Sequence, residues 1–558
     1  KALKNKLQGA INYQKTYLPE INDYIEFLKG KQYDHKPTKD EATFNICHTT
    51  VQAILNSVLR GNSYMYVDPA SEKAKEPAFN PLNRATEIPS LYVEKVINFW
   101  LDYLKVKYQV ELSATDYAAL GLGVTYVDWE LQKDEDGKIV KDEPFVLHLP
   151  YKDFLIDPRG TTENIYEADH MIRKFVMPTK MLKKDKRYKH TKGISGDTKL
   201  SADLYTDKDL SECTTLYRIW CIDEGASYVM TEGNDKILRT IPNKLGREYP
   251  FVLMQNYKMP EELMPYGEVK VLYEPQKVLN KIFSLIMTHA KRVSTRQYAA
   301  NSKIKKEELR KLKDAKDGEV LMVEGNTNPN EAIGVIQDAP LSSDVYRAYE
   351  LINNAVVQLT SISQYRRSIM PQQQRKATEA AYIEQGTELS VNSKAEDIKE
   401  HHEEISRKLF KLITHEDNID TKEVTYKNEK TGEWDTIKYN NQSFPGEYKF
   451  RWESGVEGPL NKATRQQKAL GLLQTLANMT RLNPVIAQTV NWTELLKSTL
   501  KDFDIKNIDE ILSPDPMMQQ QMMGQGGVSE EVSRNRPVGQ GETTPDVASE
   551  LSRSIGGY

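Results

Sequence analysis

The sequence predicts an α+β fold, and three features of the chain carry that prediction. Apolar residues recur at three- and four-residue spacings in 1–60 and 89–120, which is typical of amphipathic helices. Between 121 and 254 the pattern changes to β-branched and aromatic runs separated by turn residues, which indicates strands. From 265 to 415 long helical periods return around a short basic insert. With 558 residues, the chain has room for about three to four folding units.

The overall charge and the cysteines exclude several classes of protein. The net charge is −4, so the chain as a whole is not a basic nucleic-acid binder, and any DNA contact must come from local patches. The cysteines are Cys47, Cys213 and Cys221, without a CxxC pair. This argues against a disulfide framework and a zinc site, and favours a reducing cytoplasm during assembly. We expect all three to be ordinary core or surface residues.

The ends of the sequence and its apolar runs bear on targeting. No run of 18 apolar residues is present, so we expect no transmembrane helix and no membrane partner. The start, Lys1-Ala2-Leu3-Lys4, lacks the apolar segment of a signal peptide. Because no Met stands at position 1, we expect the numbered chain to begin inside the gene product.

The first half of the chain is predicted to alternate between helices and strands. Helices in 1–60 precede a short strand at 64–67, and two helical segments follow in 89–120. A hairpin is predicted from strands at 123–130 and 145–149, with Asp134-Glu135-Asp136-Gly137 as its turn. Further strands are expected at 216–222, 227–231, 236–240 and 250–254. The polar, Lys- and Asp-rich residues 183–212 are typical of an exposed insertion.

The chain is organised around the stretch from 265 to 415. We predict a helix at 265–300, a small basic αβ insert at 301–342 and a helix at 343–363. The insert should contain a basic helix, 305–313, and strands at 319–324 and 332–337. A polar loop, 364–376, then precedes a helix of about 40 residues at 377–415.

The rest of the chain is less regular. Residues 421–455 are predicted to form a hairpin with Thr431-Gly432 at its turn, followed by a strand at 448–452. Three short helices are expected in 461–512. The remaining residues, 513–558, are rich in Met, Gln, Gly and Ser, a composition typical of disorder.

A search for chemistry-bearing motifs finds no catalytic site, metal site or cofactor site. Gly121-Leu122-Gly123 begins like a dinucleotide loop but lacks the third glycine and leads into a strand. No GxxxxGK[ST] segment occurs, so the chain is not itself a P-loop motor. The acidic turn at 134–137 lacks the later ligands of a calcium loop, and a hairpin turn is the preferred interpretation.

The tetrapeptide His401-His402-Glu403-Glu404 invites a metal interpretation. Adjacent side chains on a helix diverge by about 100°, so they do not easily share one ion. The sequence therefore predicts an ordinary solvated helix face. Acidic residues are abundant elsewhere, and nothing singles out a catalytic pair of carboxylates.

Basic residues on and beside the two helices are the informative ones. They fall in two acid-free windows, one after Glu274 and one from Leu351 to Thr378. Lys and Arg attract phosphates without reading sequence. The alternative is a set of ordinary solvated helix faces.

On the first helix the basic residues are Lys277, Lys281, Lys291, Arg292 and Arg296. In the loop the basic and amide residues are Arg366, Arg367, Gln372, Gln373, Gln374, Arg375 and Lys376. In the insert the basic residues are Lys305, Lys306, Arg310, Lys311 and Lys313.

Three passages of the chain, taken together, form a combination that resembles a known family. The first is Phe154-Leu155-Ile156-Asp157-Pro158, followed by Ala168-Asp169, a strand and Pro178-Thr179. The second is Pro250-Phe251, Pro265-Tyr266-Gly267-Glu268 and Tyr273-Glu274-Pro275-Gln276-Lys277-Val278-Leu279-Asn280. The third is the order of helix, insert, helix, loop and long helix. In these three passages the chain resembles the portal proteins of tailed double-stranded DNA bacteriophages. The likeness covers most of 1–512, although Lys376-Ala377-Thr378-Glu379-Ala380 matches the family's small-residue start of the long helix only loosely.

The resemblance implies a specific domain plan. The wing would comprise 1–264 and 377–456, the stem helices 265–300 and 343–363, and the clip 301–342. The tunnel loop would be 364–376 and the helical crown 457–512, with 513–558 as a C-terminal tail.

The resemblance also implies a function and a set of partners. About a dozen copies would form a ring at one capsid vertex, assembled in the host cytoplasm and retained in the virion. Double-stranded DNA would enter and leave through the ring without sequence-specific contact. The terminase large subunit would dock on the clip, with head-tail adaptor or tail proteins replacing it later, and the major capsid protein would contact the wing. No enzymatic activity is implied.

Two interpretations from other classes remain open at this stage. One is a cytoplasmic αβ enzyme with long helical arms, and the other is a non-viral scaffold. The sequence has no nucleotide loop, metal set or catalytic triad in favour of the enzyme.

Overall fold

A computed structural model describes residues 1–38, 41–59, 64–80, 82–83, 85–133, 139–159, 164–199, 212–260, 262–294, 297–300, 333–336, 342–360, 377–417, 420–427, 434–453, 471–476, 478 and 496. The chain divides into two units, Lys1–Val456 and Glu457–Tyr558, and every element named below belongs to the first. The predicted crown helices and tail fall in the second unit, almost wholly outside the described residues.

The described helices are α1 (Ala2–Leu28), α2 (Ile46–Val58), α3 (Glu72–Lys75), α4 (Pro89–Tyr103), α5 (Val106–Leu120), α6 (Thr179–Lys184), α7 (Glu268–Ser294), α8 (Ser343–Thr360) and α9 (Ala377–Ile413). The strands are β1 (Tyr64–Pro69), β2 (Ala78–Asn80), β3 (Ala85–Glu87), β4 (Leu122–Lys133), β5 (Ile139–His148), β6 (Phe154–Ile156), β7 (His170–Pro178), β8 (Thr198–Lys199), β9 (Glu212–Cys221), β10 (Ala226–Met230), β11 (Arg239–Pro242), β12 (Phe251–Gln255), β13 (Tyr257–Met259), β14 (Glu262–Tyr266), β15 (Gln297–Ala300), β16 (Ile333–Ile336), β17 (Lys422–Lys427), β18 (Trp434–Tyr439) and β19 (Tyr448–Glu453).

Two antiparallel sheets form the β part of the fold. The central sheet has the order β12-β4-β5, and the outer sheet has the order β11-β10-β9-β7-β6, with β8 paired to β9. The predicted hairpin of the central sheet is confirmed by the β4–β5 pairing, although its turn lies outside the described residues. The remaining strands form pairs, including β1 with β19 and β17 with β18.

Helices cover the central sheet and bury the main apolar core. Residues of α2, α4, α5 and α9 join those of β4 and β12 in one cluster. Cys47 belongs to it, and Cys213 and Cys221 are also buried, so all three cysteines are buried residues outside any disulfide. Arg218 of β9 ties the outer sheet to the central one, since its guanidinium lies 2.8 Å from an Asp128 carboxylate oxygen on β4.

The glycines of Gly121-Leu122-Gly123 have a packing role. Gly121 ends α5 with φ +108°, a left-handed conformation that glycine adopts without steric cost. A Cβ on Gly123 would lie 2.3 Å from the Ser113 carbonyl oxygen. These glycines therefore let α5 and β4 approach closely, consistent with the sequence argument against a nucleotide loop.

The helices α7 and α8 form a pair that connects through β15 and β16. The strands β15 and β16 pair antiparallel and the helices pack on each other, so α7 and α8 run in opposite directions. The prediction of one helix over 265–300 was wrong at both ends. Glu262–Tyr266 is a strand paired with β13, and Gln297–Ala300 is a strand because it finds a partner in Ile333–Ile336. The predicted strand at 332–337 is confirmed.

The helix α9 agrees with the prediction of a long helix from 377, but its polar residues are not solvated as expected. His401 and His402 are only 2% and 3% exposed, so the interpretation as a solvated face was wrong for both. The His401 Nε2 atom lies 2.8 Å from the Thr125 hydroxyl, and the His402 ring stacks on Trp452 with centroids 4.0 Å apart. Sequence spacing alone did not reveal that β4 and β19 cover this part of α9.

Candidate nucleic-acid interface and its anchor

The helix α7 divides into an anchored half and a projecting half. Buried residues occur only up to Asn280, where α7 packs on α1, α2 and α5. The described residues from Lys281 to Lys291 are exposed or partly exposed. With 27 residues, α7 is about 40 Å long at a rise of 1.5 Å per residue. The helix therefore begins inside the main apolar core and extends beyond it.

The start of α7 is set by a close contact between backbones. A Cβ on Gly267 would lie 2.4 Å from the Ala119 carbonyl oxygen and 2.6 Å from the Gly121 nitrogen. Only a residue without a side chain fits between β14 and the end of α5. Glu268 then opens the helix, where a carboxylate favours the positive end of the helix dipole. The small turn seen in the sequence thus has a steric reason.

Two amide side chains of α7 fasten the connection between α1 and α2. The Gln276 side chain accepts from the Ile46 backbone N–H at 2.8 Å and donates to the Phe44 carbonyl at 2.6 Å. The Asn280 amide donates to Gln32 Oε1 at 2.7 Å and accepts from the Gln276 amide at 2.9 Å. Gln32 donates onward to Asn45, the residue that caps α2.

This amide cluster, comprising Gln32, Asn45, Gln276 and Asn280, explains why the sequence places Gln and Asn on the entering helix. Gln276 and Asn280 are each 2% exposed. Buried amides are stabilising only when their hydrogen-bonding groups find partners, and here the partners include loop backbone groups. The cluster therefore attaches α7 to the connection between α1 and α2.

A buried ion pair joins α7 to the long helix α9. The Lys394 Nζ atom lies 2.9 Å from Glu268 Oε1, with side chains 5% and 0% exposed. The same Nζ donates to Asn256 at 2.6 Å, and the Tyr257 hydroxyl donates to Glu268 at 2.9 Å. Sequence analysis did not find this pair, because the two residues lie 126 positions apart.

The predicted basic residues of α7 share one side of the helix. At 100° per residue, Lys277, Lys281 and Lys291 fall within about 80° of arc and span about 21 Å along the axis. The buried Leu272, Gln276 and Leu279 lie on a different side. Lys281 and Lys291 are exposed, and the Lys277 Nζ lies 4.0 Å from the Tyr273 ring centroid.

Lys277 has an acidic neighbour on α7. Its Nζ lies 3.6 Å from a Glu274 carboxylate oxygen, and its side chain is 35% exposed. A surface pair of this kind is weak and competes poorly with a phosphate chain. The three lysines therefore form a basic stripe on α7, with Lys281 and Lys291 as its most accessible charges.

Most other predicted site residues lie outside the described part of the chain. This holds for Arg296, for the whole loop with Arg366, Arg367, Gln372, Gln373, Gln374, Arg375 and Lys376, and for the insert residues Lys305, Lys306, Arg310, Lys311 and Lys313. Arg292 falls within α7, but its side chain is not described. Lys277, Lys281 and Lys291 are thus the predicted site residues whose side chains the structure describes.

Two searches of the described residues returned nothing. No group of three or more His, Cys, Asp and Glu side chains there could hold a metal ion. None of the described helices is both long enough and apolar enough to cross a membrane.

Comparison with known proteins identifies the family of the chain. No curated protein matches the sequence. Residues 106–527, well over half of the chain, match the family model described as phage SU10 portal protein. The match spans the central sheet, the helix pair and α9. The chain therefore belongs to the phage SU10 portal protein family.

Proposed function

We propose that this portal protein assembles into a closed ring of about twelve copies at one vertex of the capsid. DNA passes through the ring during packaging and ejection. The helices α7 and α8 form the stem around the channel, and the elements that anchor them, in 1–264 and 377–456, form the wing. The chain is a virion component assembled in the host cytoplasm, and its role is mechanical and non-enzymatic.

The basic stripe on α7 is the single observation that carries this proposal. Three lysines face one way along about 21 Å of helix, which is roughly six base pairs of duplex DNA at about 1.7 Å of axis per phosphate charge. Repetition around a ring turns each lysine into a circle of positive charge. Lysines attract the phosphate backbone without reading bases, as a channel for a whole genome requires.

Exposed apolar residues on the projecting helices support contact between neighbouring copies. Leu285 and Met287 of α7 are 51% and 48% exposed, and Leu351 of α8 is 62% exposed. Apolar side chains on adjacent exposed helices are a common mark of protein interfaces. Packing of each helix pair against the next copy would remove this surface from water.

The remaining parts of the proposal rest on the order of segments in the chain. The loop at 364–376 is the narrow point of the channel, where its arginines and Lys376 contact DNA. The clip at 301–342 is the platform for the terminase large subunit and later for head-tail adaptor or tail proteins. The wing contacts the major capsid protein. Because the sequence lacks a P-loop, the energy for DNA movement comes from another protein.

Mass measurement and negative-stain imaging of the purified full chain test the assembly. The proposal predicts rings of about twelve copies with a central hole. A stable monomer or dimer under all conditions, or particles without a hole, contradicts it.

Substitutions then test the roles of the basic residues. Lys277→Gln, Lys281→Gln and Lys291→Gln together should reduce packaged DNA while rings still form. The matched control replaces three exposed wing lysines, Lys15, Lys36 and Lys73, by Gln. Changing Arg366, Arg367, Arg375 and Lys376 to Ser should likewise impair DNA packaging or retention. Normal packaging in either set of variants removes that region from the proposal.

A further inference from the structure

A second basic surface lies on the outer sheet, in a segment of the chain that is distinct from the helix pair. It is formed by Lys180–Lys192, here called the basic lobe. It contains seven Lys or Arg residues and a single acidic residue, Asp185. In a chain with a net charge of −4 this is a strong local excess of positive charge. The sequence predicted an exposed insertion here and assigned it no role.

The backbone of the basic lobe is firmly anchored. Leu182 and Ile194 are buried in an apolar cluster with Leu216 and Leu238, and Tyr188 packs against that cluster. The Lys189 backbone N–H donates to the Leu238 carbonyl at 2.7 Å. The backbone of the lobe is therefore packed against the outer sheet, which fixes the positions from which its charged side chains extend.

The Lys and Arg residues of the lobe are exposed to solvent. Arg187 forms a close ion pair with Asp185, at 2.7 Å. The five lysines of the lobe beyond Lys180 are all exposed, and no described acidic residue forms an ion pair with any of them. They are Lys183, Lys184, Lys186, Lys189 and Lys192. Gathering five like charges on one surface is unfavourable unless an anion offsets it.

We propose that the basic lobe binds the phosphate backbone of duplex DNA outside the channel. Lysine is the dominant residue, and as a compact point charge it suits phosphates and carries no base preference. Protein interfaces, by contrast, are depleted of lysine and are centred on aromatic or arginine anchors. In the lobe the aromatic residue Tyr188 packs inward, and Arg187 is held by Asp185.

This proposal goes beyond the channel function and does not depend on it. The lobe belongs to α6 and the segment that packs on the outer sheet, whereas the basic stripe belongs to α7. DNA could reach the lobe without threading through a ring. The two surfaces are therefore separable by the topology of the DNA used as a probe.

Binding to covalently closed circular DNA is the test. Such a circle has no end, so it cannot enter a closed ring, and only outer surfaces can hold it. The variant carries Lys183→Gln, Lys184→Gln, Lys186→Gln and Lys189→Gln in the full chain. The matched control carries Lys15→Gln, Lys36→Gln, Lys73→Gln and Lys75→Gln, which removes the same charge from other exposed positions. Circular dichroism and gel filtration confirm that both fold and assemble like the parent.

The parent chain should bind the circle, with an affinity that falls steeply between 50 and 200 mM salt. The lobe variant should bind at least about tenfold more weakly at about 100 mM salt. Its plot of log affinity against log salt concentration should be shallower by up to about 0.9 for each of the four lysines removed. The control should retain the parent's affinity. The stripe variant at Lys277, Lys281 and Lys291 should also keep binding circles, which separates this proposal from the channel.

Four results would overturn the proposal. The parent could fail to bind circles at about 50 mM salt, or the lobe variant could bind as well as the parent. Equal losses in the lobe variant and the control would indicate a diffuse charge effect. If the parent bound polyglutamate but not DNA, and the lobe variant did not bind polyglutamate, the lobe would be assigned to an acidic protein partner.

Discussion

Lys394 of α9 and Glu268 of α7 form an ion pair of 2.9 Å that is almost completely withdrawn from solvent. The pair joins the first residue of the projecting helix to the middle of the long helix. Removing one partner leaves an uncompensated buried charge, which costs about 3–5 kcal/mol in comparable sites. The ion pair therefore fixes the start of α7 against the middle of α9.

The first prediction concerns this pair. Glu268→Gln and Lys394→Met should each lower the free energy of unfolding by about 3–5 kcal/mol. The double variant should lose less than the sum, because no charge is then left without its partner. Urea denaturation at fixed protein concentration measures this. Lys399→Met is the control, since its 2.8 Å pair with Glu396 is at the surface and contributes below about 1 kcal/mol. Effects no larger than the control's would contradict the prediction.

A second prediction addresses the amide cluster. Gln276→Leu and Asn280→Leu remove the hydrogen bonds to the Phe44 backbone and should each cost about 1–3 kcal/mol. Amide hydrogen exchange in 41–46 should accelerate, because that connection loses its attachment to α7. Gln8→Leu replaces an exposed amide on α1 and serves as the control. Unchanged exchange in the Gln276 and Asn280 variants would show that the cluster does not hold the connection.

The third prediction tests the steric entry to α7. Gly267→Ala places a Cβ 2.4 Å from the Ala119 carbonyl oxygen, so backbone segments must separate. We expect a loss of about 2 kcal/mol or more in unfolding free energy. Gly233→Ala, whose Cβ meets nothing within 4 Å, should change stability by less than about 1 kcal/mol. Comparable stability of the two variants would refute the steric account.

Stability should also depend on pH through the buried histidines of α9. Burial lowers the pKa of His402 to about 4, despite a hydrogen bond to the Ile398 carbonyl that raises it. Burial likewise lowers the pKa of His401 well below its usual range. Between pH 6.5 and 4 the unfolded chain therefore binds protons that the folded chain does not. The stability present above pH 6.5 should fall across this window, by roughly 3 kcal/mol for His402 alone.

Urea midpoints at pH 7.5, 5.5 and 4.5 measure this dependence. His402→Phe should flatten the decline, because the ring can still stack on Trp452 but no longer titrates. His48→Phe, at an exposed position of α2, is the control and should leave the decline unchanged. An equal decline in the His402 variant and the parent would rule out this histidine as a cause.

Some of this structure could be predicted from the sequence, for physical reasons. The central hairpin, the long helix and the stripe of α7 depend on local periodicity, and the sequence displays them directly. The Glu268–Lys394 pair and the burial of His401 and His402 depend on contacts between distant segments, which periodicity does not encode. The end of α7 was misplaced because the strand conformation of Gln297–Ala300 depends on its partner strand at 333–336.

A three-dimensional reconstruction of the assembly by electron cryomicroscopy is the most direct test of whether the protein forms a ring with a channel lined by α7 and α8. We expect a ring of about twelve copies whose channel wall is formed by α7 and α8, with Lys277, Lys281 and Lys291 facing the lumen. Particles without a channel, or a ring in which those three lysines face outward while another surface lines the lumen, would contradict it.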